Sequence, residues 1–129
     1  MPPPLCRILY VEDEPDIRAI AQMALEAVGG FSVIACASGS EALAAAATAQ
    51  ADLLLLDVMM PGMDGPDTLK ALRALTATAN TPVIFMTAKV QAAEVAQYRE
   101  LGAIDVLHKP FDPMELSAQI QRIWAAQGQ

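Results

Sequence analysis

Leu53-Leu54-Leu55-Leu56 is an uncharged run that stops at Asp57, and Val58-Met59-Met60-Pro61-Gly62-Met63-Asp64-Gly65 follows at once, dense in turn formers. A strand with one wet face alternates apolar and polar residues. A strand buried on both faces reads as a continuous apolar run, and such strands belong to parallel sheets covered by helices. Open parallel sheets bind ligands just beyond the carboxyl ends of their strands. Asp57 is therefore expected where α/β proteins do chemistry.

Three further apolar runs end in reactive groups. Ile8-Leu9-Tyr10-Val11 runs into Glu12-Asp13-Glu14, and Val83-Ile84-Phe85-Met86 into Thr87-Ala88-Lys89. Val106-Leu107-His108 delivers Lys109, then Pro110-Phe111. Parallel, adjacent strands would bring these carboxylates, the hydroxyl and the ammonium to one edge.

Between the runs lie helical signals. Pro15 suits the first turn of a helix reaching Val28, with Gly29-Gly30 as its stop. Phe31 to Cys36 reads as the second strand. Ser38-Gly39-Ser40-Glu41 reads as a capping box for an Ala-rich helix to about Gln50. Pro66 opens a third helix carrying Leu69, Leu72 and Leu75. Gln91 to Leu101 is a fourth, closed by Gly102, before a fifth strand over 105–108. Asp112-Pro113-Met114-Glu115 combines an Asp cap, a first-turn Pro and a capping glutamate for a last helix to about Ala126. Strands alternating with helices in this way predict a parallel sheet with right-handed crossovers. At 129 residues one domain is expected over 1–129, its core about 6–126, with no repeat or linker.

The net charge of −7 and pI near 4.4 argue against direct nucleic-acid binding, which needs a basic footprint. Cys6 and Cys36 are too few for a disulfide framework and fall in apparent strands, so both are expected reduced and buried. No apolar stretch approaches the roughly 20 residues of a membrane helix, and Met1-Pro2-Pro3-Pro4 lacks the basic start of a signal peptide. A cytoplasmic protein is expected, a monomer or weak dimer.

Glu12, Asp13 and Asp57 would repel one another if left bare, raising at least one pKa. A hard divalent cation removes the conflict, and Mg2+ takes few protein carboxylates while keeping several waters. His108 points away from Lys109 by two-residue alternation and reads as a partly exposed structural residue rather than a metal ligand. Met59, Met60 and Met63 lie in the loop after Asp57 and border any approaching donor.

Taken together, Glu12-Asp13, Asp57 with Met60-Pro61-Gly62-Met63-Asp64-Gly65, Thr87-Ala88 and Lys109-Pro110-Phe111 make the whole chain resemble the receiver domain of bacterial two-component response regulators, of the chemotaxis-regulator type. The resemblance implies a single three-layer, doubly wound α/β domain. Its sheet would be five-stranded and parallel, in the order 2-1-3-4-5, with five helices, as in flavodoxin-like folds. It implies phosphorylation of Asp57 by a histidine kinase or histidine phosphotransfer protein, with Mg2+ as cofactor and a downstream protein partner. Asp57 would be the nucleophile, Asp13 a direct metal ligand, Glu12 a ligand through water, and the Met59 carbonyl a third protein ligand. Lys109 and Thr87 would contact phosphoryl oxygens, and Ala88 would leave the donor room. The Lys109-Pro110 bond would be cis. Pro15, Arg18, Ala21 and Gln22 on the first helix, with Pro110 and Phe111, would dock the phosphodonor.

One position departs from the family pattern. Three residues before the lysine, where the family carries Tyr or Phe, stands Val106, too short to act as a rotating aromatic lever. Signalling is expected instead through the loop after Thr87 and the fourth helix, which carries Tyr98. Met59 and Lys89, two residues past Asp57 and Thr87, border the path of attacking water and should tune phosphoaspartate lifetime.

The expected protein is a signalling phosphoacceptor rather than an enzyme with an external product. An aspartyl-phosphate-type phosphatase would want an acid where Met59 stands. A flavin-binding module would cradle phosphate in its first loop, which Glu12-Asp13-Glu14 would repel. A receiver-like module that binds without phosphorylation would have lost an acid, Asp57 or Lys109, and none is missing. No output domain is legible before Gln129, so output is expected through a partner, a phosphate relay or an effector following that residue.

Overall fold

The computed structural model describes residues 3–127. The ends of the expected 1–129 domain lie outside the described residues. The strands are β1 (Arg7–Val11), β2 (Ser32–Cys36), β3 (Leu53–Asp57), β4 (Val83–Thr87) and β5 (Ala103–His108). The helices are α1 (Pro15–Met23), α2 (Gly39–Ala49), α3 (Gly65–Arg73), α4 (Ala92–Glu100) and α5 (Leu116–Ala126). All strand pairs are parallel, and the order is β2-β1-β3-β4-β5. This is the three-layer, doubly wound topology expected.

Alternation along the central strands divides the core into two layers. Ile8 and Tyr10, Leu53 and Leu55, and Ile84 and Met86 meet α1, the turn that follows it and α5 through Ala21, Leu25, Leu116, Ile120 and Trp124. Leu9 and Val11, Leu54 and Leu56, and Val83 and Phe85 meet Ala42, Ala46, Leu69 and Leu72 of α2 and α3 on the other face. The four leucines of β3 are fully buried, serving both layers alternately. The alanines of α2 add no bulk, so this helix needs only a methyl-deep interface.

Local chemistry sets several boundaries. The Ser38 hydroxyl accepts from the Glu41 N–H (3.1 Å), half of the expected capping box, while the Glu41 carboxylate accepts from the Ala37 N–H (3.1 Å), one residue before the cap. Asp64 caps α3 by accepting from the Asp67 N–H at 2.8 Å.

Other boundaries differ from the sequence reading. α1 gives way at Ala24 to a π-helical turn over Ala24–Val28. Phe31 is buried but lies before β2. α3 stops at Arg73, whose guanidinium donates to the carbonyls of Thr78 and Thr81, so Leu75 lies beyond the helix. β5 starts at Ala103, with a register irregularity opposite Val83/Ile84. Asp112 accepts from the Met114 N–H (2.9 Å) and shapes a separate turn, so α5 begins at Leu116. Cys6 precedes β1 and is exposed, against expectation, with its N–H donating to Asp52 at 3.0 Å; Cys36 is buried. Both cysteines are free.

Candidate functional site

The carboxyl ends of β1, β3, β4 and β5 bring Glu12, Asp57, Thr87 and Lys109 to one edge. Tyr10 and Val11 pair with Leu55 and Leu56, so Glu12 and Asp57 emerge side by side. Asp57 pairs with Met86, one residue before Thr87. Gly65 lies so close to the Asp57 carbonyl that a Cβ would collide with backbone, which lets α3 start directly over the end of β3. The Lys109–Pro110 peptide is cis.

One ammonium serves two buried carboxylates. Lys109 Nζ lies 2.9 Å from Glu12 Oε1 and 3.2 Å from Asp57 Oδ1. Glu12 is fully buried and Asp57 is 2% exposed. Asp13 is half-buried, and carboxylate oxygens of Glu12, Asp13 and Asp57 lie within 4.8 Å of one another. Three carboxylates against one ammonium leave an excess of negative charge.

The ionisation balance shows the same conflict. Burial pushes the Glu12 carboxyl from 4.5 up to about 7; Asp57 adds to the rise and Lys109 opposes it. Burial also raises Asp57, against the pull of Glu12 and Lys109. Burial by itself would lower Lys109, yet the hydrogen bond to Glu12 and the Asp57 charge outweigh it and hold the lysine raised. Tyr10 lies below this cluster. Its hydroxyl is buried without a partner among the described residues, and burial and the two acids raise its pKa.

These residues fit a hard divalent cation. Carboxylate oxygen is the donor type Mg2+ prefers, the oxygens already converge, and the excess charge is what a cation would relieve.

The remaining expected residues are placed as follows. Thr87 is 3% exposed, and its hydroxyl accepts from the Lys89 N–H at 3.1 Å. Ala88 and Lys89 are exposed at the mouth. Met59 is 73% exposed in the loop, whereas Met60 packs into the core and Met63 against Gly39. Val106 pairs with Phe85, half-buried, and the Tyr98 ring packs on Phe85 with centroids 5.3 Å apart. His108 is exposed, as expected.

On α1, Pro15 is exposed, and Arg18 and Gln22 are half-buried. Ala21 is fully buried, so its expected outward position is corrected: it faces the core with Ala24 and Leu25. Arg18 is also less free than its position implied. Its guanidinium donates to the Glu12 carbonyl at 2.8 Å, bracing the acidic loop. Pro110 is exposed, and Phe111 is half-buried against the core.

Residues 8–121 match the sequence profile of the family described as the response regulator receiver domain. The chain belongs to this family. It is 43% identical over 128 residues to the transcriptional regulatory protein CpxR of Escherichia coli K12, covering 95% of this chain and 53% of that protein. It is 38% identical over 115 residues to the DNA-binding response regulator MtrA of Mycolicibacterium smegmatis, covering 89% and 49%. The receiver thus spans about half the length of the curated relatives it matches. Its structure superposes on the Vibrio cholerae chemotaxis protein CheY4 with a TM-score of 0.84 at 32% identity, covering 93% of this chain and 99% of that one. The receiver has no helix, among the described residues, long and apolar enough to cross a membrane.

Proposed function

We propose that Asp57 is the phosphoacceptor of a phosphorelay and takes its phosphoryl group from a histidine kinase or histidine phosphotransfer protein. The observation that carries this reading is the buried Asp57 carboxylate at the end of β3, converging with Glu12 and Asp13 and 3.2 Å from Lys109 Nζ. An Asp57 oxygen attacks the phosphorus of a phosphohistidine. The O–P bond forms as the P–N bond breaks, and its electron pair leaves on the imidazole nitrogen, which takes up a proton.

Phosphoryl transfer asks for positioning and charge neutralisation. Asp13 and Asp57, with Glu12 through water and the Met59 carbonyl, would hold Mg2+. When bound, it supplies Lewis-acid stabilisation of the charge on the transferring oxygens. Lys109 turns from its ion pairs to a phosphoryl oxygen, and Thr87 releases the Lys89 N–H to donate to another. Ala88 leaves the approach open. Pro15, Arg18, Gln22, Pro110 and Phe111 surround the site as the docking surface of the donor.

Incubation with acetyl phosphate and Mg2+ should add one acid-labile, hydroxylamine-sensitive phosphate, seen by intact mass. Asp57→Asn should abolish it. Undiminished labelling of that variant would remove Asp57 from the nucleophile's role.

A further inference from the structure

Tyr10 carries a polar group that the resting fold leaves unused. The residue is fully buried in β1, and its hydroxyl has no hydrogen-bond partner among the described residues. Buried polar groups are nearly always paired, and an orphaned one destabilises the fold. A phenylalanine ring would fill the same apolar layer without that cost. The hydroxyl therefore points to a partner that it gains in another state of the protein.

Its position says which partner. Side chains two apart on a strand share a face, so Tyr10 shares a face with Glu12, whose N–H continues the β1 ladder onto the Cys36 carbonyl at 3.0 Å. Tyr10 also pairs with Leu55, two residues before Asp57. The phenol thus stands one step below both buried carboxylates. The negative charges of Glu12 and Asp57 add to burial in raising its pKa, so the hydroxyl lies within their field.

The other donors around Glu12 are committed elsewhere or shared. Lys109 Nζ holds Glu12 Oε1 at 2.9 Å and divides itself with Asp57. The Glu14 N–H lies a long 3.4 Å from Glu12 Oε2. The Arg18 guanidinium donates to the backbone carbonyls of Glu12 at 2.8 Å and Asp13 at 3.5 Å, not to the carboxylate. Once Lys109 turns to the phosphoryl group, Glu12 keeps only the long contact to Glu14, a costly state for a fully buried carboxylate.

We propose that Tyr10 is a positioning residue whose hydroxyl donates to the Glu12 carboxylate as Lys109 turns to the phosphoryl group, and so keeps Glu12 in place beside Asp57. Such a hydrogen bond is charge-assisted and forms in a buried setting, which makes it one of the stronger kind. It lets one ammonium serve the resting and the phosphorylated protein in turn. This role rests on the phosphoacceptor reading, since it is the phosphoryl group that draws Lys109 away.

Tyr10→Phe removes the oxygen and keeps the ring, and its two effects should differ in sign. The resting protein should melt no lower than the unaltered one, because an unpartnered hydroxyl is lost. Labelling of Asp57 by acetyl phosphate and Mg2+ should slow about tenfold, the scale of one hydrogen bond to a charged group. A packing role would lower both together; that result, or labelling at the unaltered rate, would overturn the proposal. A second measurement watches the hydroxyl itself. The chain has two tyrosines, so tyrosine labelled with 13C at Cζ gives two signals, and Tyr10→Phe assigns them. Beryllium fluoride with Mg2+, a mimic of the bound phosphoryl group, should move the Tyr10 signal downfield as the hydroxyl gains its acceptor. An unmoved signal would also overturn the proposal. Labelling of the unaltered protein separates this role from the phosphoacceptor reading. Labelling there, with Tyr10→Phe unslowed, sinks the role of Tyr10 alone. No labelling at Asp57 sinks the phosphoacceptor and the role of Tyr10 with it.

Discussion

Asp52 and Asp57 bracket one strand, yet they occupy opposite electrostatic situations. Asp52 stands at the entry to β3, where its carboxylate accepts from the backbone N–H groups of Cys6 (3.0 Å) and Arg7 (2.9 Å). Its negative charge is met by donors that the fold fixes in place, and it ties β1 to β3. Asp57 stands at the exit, where its one close side-chain cation is Lys109, shared with fully buried Glu12, with Asp13 also in reach. The entry carboxylate completes the structure, whereas the exit carboxylates leave a charge that the chain does not neutralise. A proton or a bound cation can supply that neutralisation, so the two acids of one strand differ in what the fold leaves them lacking.

The largest expected effect is on the exit side. Mg2+ at a hundredfold excess over its dissociation constant should stabilise the protein by about 2.7 kcal/mol, read as a rise in melting temperature. Asp13→Ala should remove the rise and Asp52→Ala should keep it. An equal rise in Asp13→Ala would place the ion elsewhere and break the contrast.

A smaller effect is expected at the entry. Asp52→Ala leaves the Cys6 and Arg7 N–H groups without their acceptor, at a cost of about 1–2 kcal/mol in chemical denaturation. Water reaches this half-exposed position and limits the loss. Phosphate labelling from acetyl phosphate should be unchanged. A drop in labelling that tracked the loss of stability would show the two ends to be coupled.

The remaining effect, also on the exit side, is a slope. Burial raises Glu12 from 4.5 to about 7 in the folded protein. Between those values the folded state binds more protons than the unfolded one, so this contribution to stability is present at low pH and is lost as pH rises through about 7. In Mg2+-free buffer the melting temperature should therefore decline across that window, and Glu12→Gln should flatten the decline. An unchanged slope in the variant would clear Glu12 of the conflict.

The centre of the sheet was legible because β1, β3 and β4 are buried on both faces and read as apolar runs. The site residues were legible as strand-end residues for the same reason. What escaped was set by long-range contacts. The π-turn depends on the hydroxyl of Ser117, 93 residues away from Ala24, and nothing near Val28 announces it. The end of α3 depends on carbonyls of Thr78 and Thr81 that capture Arg73. Ala21 was misplaced because alanine suits either face of an amphipathic helix, and spacing by three or four does not say which face is inward. Arg18 was placed on the right helix, but its hold on the Glu12 carbonyl is a tertiary fact. Tyr10 was read only as part of an apolar run, and no local signal marks its hydroxyl as lying below the acids.

The most direct test of the contrast is to locate the phosphate chemically. After reaction with acetyl phosphate and Mg2+, borohydride reduces an aspartyl phosphate to homoserine, and peptide mass spectrometry reads the position. The expected result is homoserine at position 57 and unmodified aspartate at position 52. Homoserine at 13 or 52 with intact Asp57 would contradict it.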